Sequence, residues 1–414
     1  MSVYYNDNEY TIYNGKMQDV LTNDIKPESI DCIITDPPYE INFMNNSWDN
    51  NGVAFQKETW KKCFNVLKWG GFLLIFGGSR TFHRIACAVE DAGFEIKDCI
   101  MWLYGNGFPK SNDVGLKIDK KNNVDNKTGN IITTGTAKSD CIVHVASGNS
   151  KIYEERKATN EWGGWGHSLK PAYEPIIVAR KPVEGSLIEN VQKYRVGAYN
   201  IDECRIGEEL FQQRQQQQPS KGIYADKILH AKSYVGRFPA NVITDGSENV
   251  AKGMPINENG CSPMRYFYCA KASTKDRDEG LDIFEKKQIT DNSIRKNAES
   301  GRMFGANPVL KRNPHPTVKP TELMQYLVRL VAPKGATILD PFMGSGSTGK
   351  AVMFENRERQ SNYKFIGIEM TKEYLPIAHA RIDYAKNKYQ YDLVQEKKEN
   401  EEKGIQNIFD FMEE

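Results

Sequence analysis

Apolar residues in this chain collect into short unbroken runs that stop at turn residues, separated by stretches in which apolar positions recur every three or four residues. The first such run, Ser29-Ile30-Asp31-Cys32-Ile33-Ile34-Thr35, is rich in β-branched side chains and halts at Asp36-Pro37-Pro38-Tyr39, which predicts a buried strand ending in a stiff turn. Gly70-Gly71 and Gly77-Gly78 bracket a second run, Phe72 to Phe76, and Phe82, Ile85, Ala86 and Val89 then fall near helical spacing across 81–92. The succession resumes after Pro320, where Leu323, Met324, Tyr326, Leu327, Leu330 and Val331 predict a helix. A strand over 336–339, a glycine-rich turn, a helix and a strand over 364–369 follow. Strands that alternate with helices predict an α/β fold with a doubly wound sheet.

From 111 to 310 the pattern breaks up. Glycine, asparagine and charged residues are frequent, and Phe211-Gln212-Gln213-Arg214 leads into the low-complexity run Gln215 to Gln218, so a loop-rich insertion is expected. Inside it, Pro171 to Arg180, within about 169–182, reads as a strand placed to return to the first sheet. Beyond 386 the chain is dominated by Lys and Glu and ends in an apolar cluster of Ile405, Ile408, Phe409 and Phe411. These changes of texture divide the chain at 1–110, 111–310, 311–385 and 386–414.

At 414 residues the chain exceeds a single ordinary core and predicts two or three compact units. A hydrophobic fraction of 39% with 26% charged residues excludes wholesale disorder. Lys+Arg 55 against Asp+Glu 54 gives a net charge of +1, so any nucleic-acid face must be local. There is no apolar run of about eighteen residues, and the opening MSVYYNDNEYTIYNG is not a charged-then-apolar leader, so a cytoplasmic protein without membrane contact is expected. None of the 8 cysteines falls in a C-x-x-C pair, which disfavours a zinc ribbon and predicts reduced thiols.

Two turns carry candidate chemistry. Asp340-Pro341-Phe342-Met343-Gly344-Ser345-Gly346-Ser347-Thr348-Gly349 follows a strand and opens a helix, where glycines let a ligand approach backbone N–H groups at a helix N-terminus. Gly344 to Lys350 also spells the start of a phosphate-cradling loop, G-x-x-x-x-G-K, but the next position needs Ser or Thr to hold magnesium and is Ala351. Glu369 instead closes the next strand about twenty residues on, where an acid accepts both hydroxyls of a ribose. That favours a nucleoside cofactor with no metal. The second turn, Asp36-Pro37-Pro38-Tyr39, offers a carboxylate, free backbone carbonyls and an aromatic face at a strand's carboxyl end. Such a set suits an NH₂ group on an aromatic ring: Asp36 and the Pro37 carbonyl accept its two hydrogens while Tyr39 stacks on the base.

These residues resemble the DNA amino-methyltransferases that use S-adenosylmethionine, in their permuted β arrangement of bacterial or phage type. In that family the D-P-P-Y turn comes first, a target-recognition insertion follows, and the cofactor turn comes last. TDPPY at 35–39, GFPKS at 107–111, LKPAYEPI at 169–176, HPTVKP at 315–320 and DPFMGSGSTG at 340–349 are similar to successive family blocks. The resemblance implies a circularly permuted, Rossmann-like methyltransferase sheet, with a catalytic part at 1–110, target recognition within 111–310, a cofactor-binding part at 311–385 and a tail beyond. It implies that Asp36, Pro37 and Tyr39 hold the target base and that Pro38 shapes the turn. Asp340, Phe342, Gly344 and Gly346 would line the cofactor cleft, Glu369 would hold the ribose, and Thr317, Lys319 and Pro320 would meet the methionine end. Asp19 matches the position near the adenine, although a lone Asp before a helix is also an ordinary N-cap.

The resemblance further implies S-adenosylmethionine as cofactor, double-stranded DNA as partner, a flipped base and a homodimer. Its cytosine-modifying members more often carry Ser in place of Asp36, so adenine N6 is expected and cytosine N4 is the alternative. RNA and protein-glutamine methyltransferases usually carry Asn there, and a catalytically silent DNA-binding regulator would have no use for the intact turn. Arg295, Lys296, Arg302, Lys311 and Arg312, with Lys319 beyond, form the candidate basic face for DNA, against the alternative of a solvated charged loop. The terminal apolar cluster offers a contact for a partner protein or for its own domain.

Overall fold

In the computed structural model the described residues are 2–40, 52–105, 111–134, 151–214, 231–256, 262–270, 274–288 and 310–388. They divide into two compact units, the larger drawn from Met1–Tyr104, Tyr173–Lys286 and Arg312–Glu414, the smaller from Gly105–Ala172 and Lys287–Lys311. The stretch expected as one insertion, 111–310, thus contributes to both.

The larger unit is built on a ten-stranded sheet. Its strands are β1 (Ser2–Asn6), β2 (Tyr10–Asn14), β3 (Ile30–Thr35), β4 (Leu67–Phe76), β5 (Glu95–Leu103), β6 (Tyr173–Arg180), β7 (Val242–Thr244), β8 (Tyr268–Cys269), β9 (Thr337–Asp340) and β10 (Lys364–Glu369). They lie in the order β1-β2-β10-β9-β3-β4-β6-β5-β7-β8. β2, β10, β9, β3 and β4 run parallel, whereas β6 lies antiparallel to both β4 and β5. The strand expected over Pro171 to Arg180 therefore does return to the sheet, and its reversed direction brings Glu174 opposite Trp102 near the carboxyl end of β5.

Every residue of β3 is buried, as a central parallel strand covered on both faces requires. Alternate side chains serve alternate cores. Ile33, with Leu73 and Ile75 of β4, packs under α1 (Met17–Asn23), α2 (Lys57–Val66) and α3 (Phe82–Asp91) through Val20, Leu21, Trp60, Cys63, Ile85 and Val89. Cys32 and Ile34, with Phe72 and Leu74, pack on the opposite face under three further helices, α4 (Thr321–Val331), α5 (Ser347–Arg359) and α6 (Leu375–Lys386). Asp31 breaks the apolar run of β3 without penalty because Lys68 Nζ and the Thr337 backbone N–H reach it at 2.6 and 2.8 Å. Cys32, Cys63 and Cys204 are buried free thiols, and burial raises each pKa, so they are held protonated as core groups.

In the smaller unit a helix at Val114–Lys121 and antiparallel ribbons, Lys127–Thr134 with Lys151–Arg156 and Lys287–Gln288 with Leu310–Lys311, replace a layered sheet. Its local anchor is Asp119, buried, which accepts from the Thr159 backbone and hydroxyl at 2.9 Å each and from Asn160 Nδ2 at 2.7 Å.

Candidate active site

Sheet direction brings the chemistry to one edge. The carboxyl ends of β3, β4, β9 and β10 carry Asp36, Gly77-Gly78, Asp340 and Glu369, and the start of antiparallel β6 adds Glu174. β3 and β9 are neighbours at which the chain winds outward in both directions, and the crevice at such a switch point is where open α/β sheets bind ligands.

Three blocks far apart in sequence meet at the D-P-P-Y turn. Lys319 Nζ lies 2.5 Å from Asp36 Oδ2 and 3.4 Å from Glu174 Oε2, and the Tyr39 hydroxyl donates to the same Glu174 oxygen at 3.0 Å. The ammonium also sits 4.8 Å from the Phe76 ring centre and 5.4 Å from that of Tyr39. Lys319 is only 6% exposed, and burial alone would lower its pKa; the Asp36 and Glu174 carboxylates outweigh this and hold it above the ordinary lysine value. It is a fixed cation. Burial, then the same carboxylates, raises the Tyr39 pKa well above its ordinary value, so its hydroxyl stays a donor. The second oxygen of Asp36, Oδ1, is buried and has no hydrogen-bond partner. A buried acceptor without a partner beside an aromatic ring calls for an explanation, and a donor on a bound ligand would supply one. Gly78 leaves the ring uncrowded, since a Cβ there would stand 3.3 Å from Tyr39 Cδ2.

The glycine turn is built around two acids. Asp340, buried, accepts from the Thr35 and Thr348 hydroxyls at 2.7 and 2.5 Å and from the Phe342 backbone N–H at 3.1 Å. Burial nevertheless pushes its pKa up to about 6. A pKa raised in the folded protein means stability that is full below the unfolded value and is lost as pH rises through the folded one. From the ordinary 3.8 to about 6 this amounts to roughly 3 kcal/mol. Urea unfolding of the ligand-free protein should therefore show stability declining between pH 4 and 6 more steeply than in Asp340→Asn; equal slopes would remove the assignment.

Glu369 accepts from the Gly344 and Thr371 backbone N–H groups at 2.8 and 2.7 Å, and burial raises its pKa. Gly344 and Gly346 both have positive φ, at 54° and 78°, and Gly346 caps α5. A Cβ on Gly344 would lie 2.8 Å from His315 Nε2, and one on Gly346 would lie 3.0 Å from Ala378 Cα, so neither position has room for a side chain. Phe342 closes the turn with its ring 6.4 Å from Trp60. Asp19 stands exposed in the first turn of α1, just after β2, whose Asn14 pairs with Glu369. Thr317 is exposed and Pro320 is buried at the start of α4.

Several functional-looking residues emerge only in three dimensions. Glu174 is one; its signal in the sequence is an acid directly before the apolar run Pro175 to Ala179. His315 is another: burial, then Lys319, Arg277 and Arg381, pushes its pKa down to about 3, so a neutral ring flanks Gly344. Lys350, the residue that made the phosphate-loop spelling attractive, is fully buried and spends its ammonium on Asp276 at 2.6 Å and Glu279 at 2.9 Å. It is thus committed to the fold and is not presented to a phosphate.

Of the candidate basic face, Arg295, Lys296 and Arg302 lie outside the described residues, as do Gln215 to Gln218, GFPK of the 107–111 block, and the terminal Ile405, Ile408, Phe409 and Phe411. Lys311 pairs through its backbone with Lys287, and Arg312 is engaged with Asp282 at 3.3 Å. Lys319 belongs to the buried site.

A glycine cradle that a Cβ would fill, an acid at the end of β10 and an unsatisfied acceptor at the end of β3 fit a nucleoside cofactor beside an amino acceptor. A family model described as DNA methylase matches residues 30–380. The chain is 23% identical over 342 residues to the type II methyltransferase M.HindIII of Haemophilus influenzae, covering 81% of this chain and 71% of that one. It is 36% identical over 84 residues to the DNA adenine methyltransferase YhdJ of Escherichia coli, a match that spans 20% of this chain and 26% of the relative. Among solved structures it resembles the PvuII DNA methyltransferase, described as cytosine-N4-specific, with 12% identity over 92% of this chain and 90% of that chain and a TM-score of 0.41.

Proposed function

The chain belongs to the N6/N4 family of DNA methylases, and from that premise we propose that it transfers a methyl group from S-adenosylmethionine to the exocyclic N6 of an adenine flipped out of double-stranded DNA. When bound, the cofactor supplies a methyl on a positively charged sulfur, already activated for in-line transfer. Glu369 at the end of β10 would hold its ribose, and Gly344 and Gly346 give the backbone close approach. Asp36 Oδ1 and the Pro37 carbonyl would take the two amino hydrogens while Tyr39 stacks on the ring, which points the nitrogen lone pair away from the protein acceptors. The observation that carries this reading is the buried, unpartnered Oδ1 of Asp36 beside Tyr39. Within the family, the order of the two turns along the chain supports the permuted β arrangement, and Asp in place of Ser at 36 and the adenine-specific relative favour adenine over cytosine.

The test is incubation with plasmid DNA and cofactor carrying a labelled methyl, followed by digestion to nucleosides. Label on adenine N6 is expected. Label on cytosine N4 would overturn the base and keep amino-group transfer, whereas label on RNA or protein only would overturn the DNA reading.

A further inference from the structure

Lys319 stands between two carboxylates, and only one of them belongs to the D-P-P-Y turn. Two acids against one ammonium leave this group of three with a formal excess of one negative charge. Each contact has a separate effect. The Lys319 ammonium occupies Asp36 Oδ2 at 2.5 Å, and the Tyr39 hydroxyl and the ammonium share Glu174 Oε2 at 3.0 and 3.4 Å. Were Glu174 absent, the buried ammonium would have a single carboxylate to satisfy it and would compete for both Asp36 oxygens, and the Tyr39 ring would lose its tether. We propose, resting on the methyl-transfer reading, that Glu174 is a positioning residue for the reaction: it anchors Tyr39 and draws Lys319, so that Asp36 Oδ1 stays free for the target amino group. The excess negative charge also favours a nitrogen that becomes positive as it gains a methyl, before its proton leaves.

The contributions separate by substitution. Glu174→Ala removes the charge and the tether, Glu174→Gln keeps an oxygen for the Tyr39 hydroxyl but not the charge, and Tyr39→Phe removes the hydroxyl alone. With labelled-methyl transfer to DNA as the readout, kcat is expected to fall by about tenfold or more in Glu174→Ala. The KM for DNA should change much less, Glu174→Gln should recover part of the loss, and Tyr39→Phe should cost only a small part of it. S-adenosylhomocysteine titrated against intrinsic tryptophan fluorescence should bind all of them as it binds the wild type. A wild-type kcat in Glu174→Ala, or a loss that appears wholly in KM, would overturn the proposal while the wild type still methylates DNA. If Glu174→Ala does not fold, an unchanged kcat in Glu174→Gln overturns it equally. No transfer to DNA by the wild type would instead sink the methyl-transfer reading itself, and the proposal with it.

Discussion

Asp36→Ala is expected to lower the rate of methyl transfer to DNA by about a thousandfold, the upper range for removing one preorganised hydrogen-bonding group from a transition state. The residue contributes its free oxygen to the acceptor and its other oxygen to Lys319, so the substitution removes both orientation of the amino group and half of the neutralisation of a buried cation. The second loss should be tolerable, because Glu174 remains 3.4 Å from the ammonium. Affinity for S-adenosylhomocysteine should stay near wild type, since the hydrogen bonds that shape the glycine turn and hold Glu369 run through Phe342, Gly344 and Thr371 and not through Asp36. Asp36→Asn makes the sharper comparison: it preserves shape and one acceptor oxygen, but its NH₂ cannot accept, so whichever way the amide points either Lys319 or the target amino group meets a donor. Its loss should lie between wild type and Asp36→Ala. Full activity in Asp36→Ala would refute the assignment of the turn.

The parts of this site that are legible in the sequence are those written in contiguous residues. β3, β4, β6, β9 and β10 carry apolar runs because each is buried, and the two turns can be read because Pro and Gly fix backbone geometry locally. What binds the turns to each other is long-range and leaves no period. Lys319 reads as a residue for the cofactor's methionine end, yet its closest partner lies 283 positions away in the other half of the core. β7 and β8, at three and two residues, are too short for any alternation to register, so texture alone assigns 111–310 to one insertion although both strands extend the main sheet. The neutrality of His315 likewise comes from burial, from Lys319 in its own block, and from Arg277 and Arg381 brought in from separate segments, a set that no single window of sequence contains.

The second large effect concerns stability and separates a structural lysine from a phosphate-binding one. Lys350→Ala is expected to destabilise the larger unit by about 3–5 kcal/mol, the range for removing one partner of a buried ion pair. Lys350 has no exposed surface, and its loss leaves Asp276 and Glu279 facing each other's charge beside the Thr321 groups, Arg381 and Tyr384. The helix at Thr274–Asp278 would lose a buried tie to α5, the helix that the cofactor turn opens. Cofactor affinity should therefore fall together with the unfolding midpoint and return with it. Because the cost is that of stranded carboxylates, Lys350→Met combined with Asp276→Asn and Glu279→Gln should recover most of the stability, whereas Lys350→Met alone should not. A lysine that served a bound phosphate would behave in the opposite way: its removal would spare the urea midpoint of the free protein and abolish ligand binding, and the neutral triple variant would restore neither. Urea unfolding of the four proteins, read beside S-adenosylhomocysteine affinity, distinguishes the two.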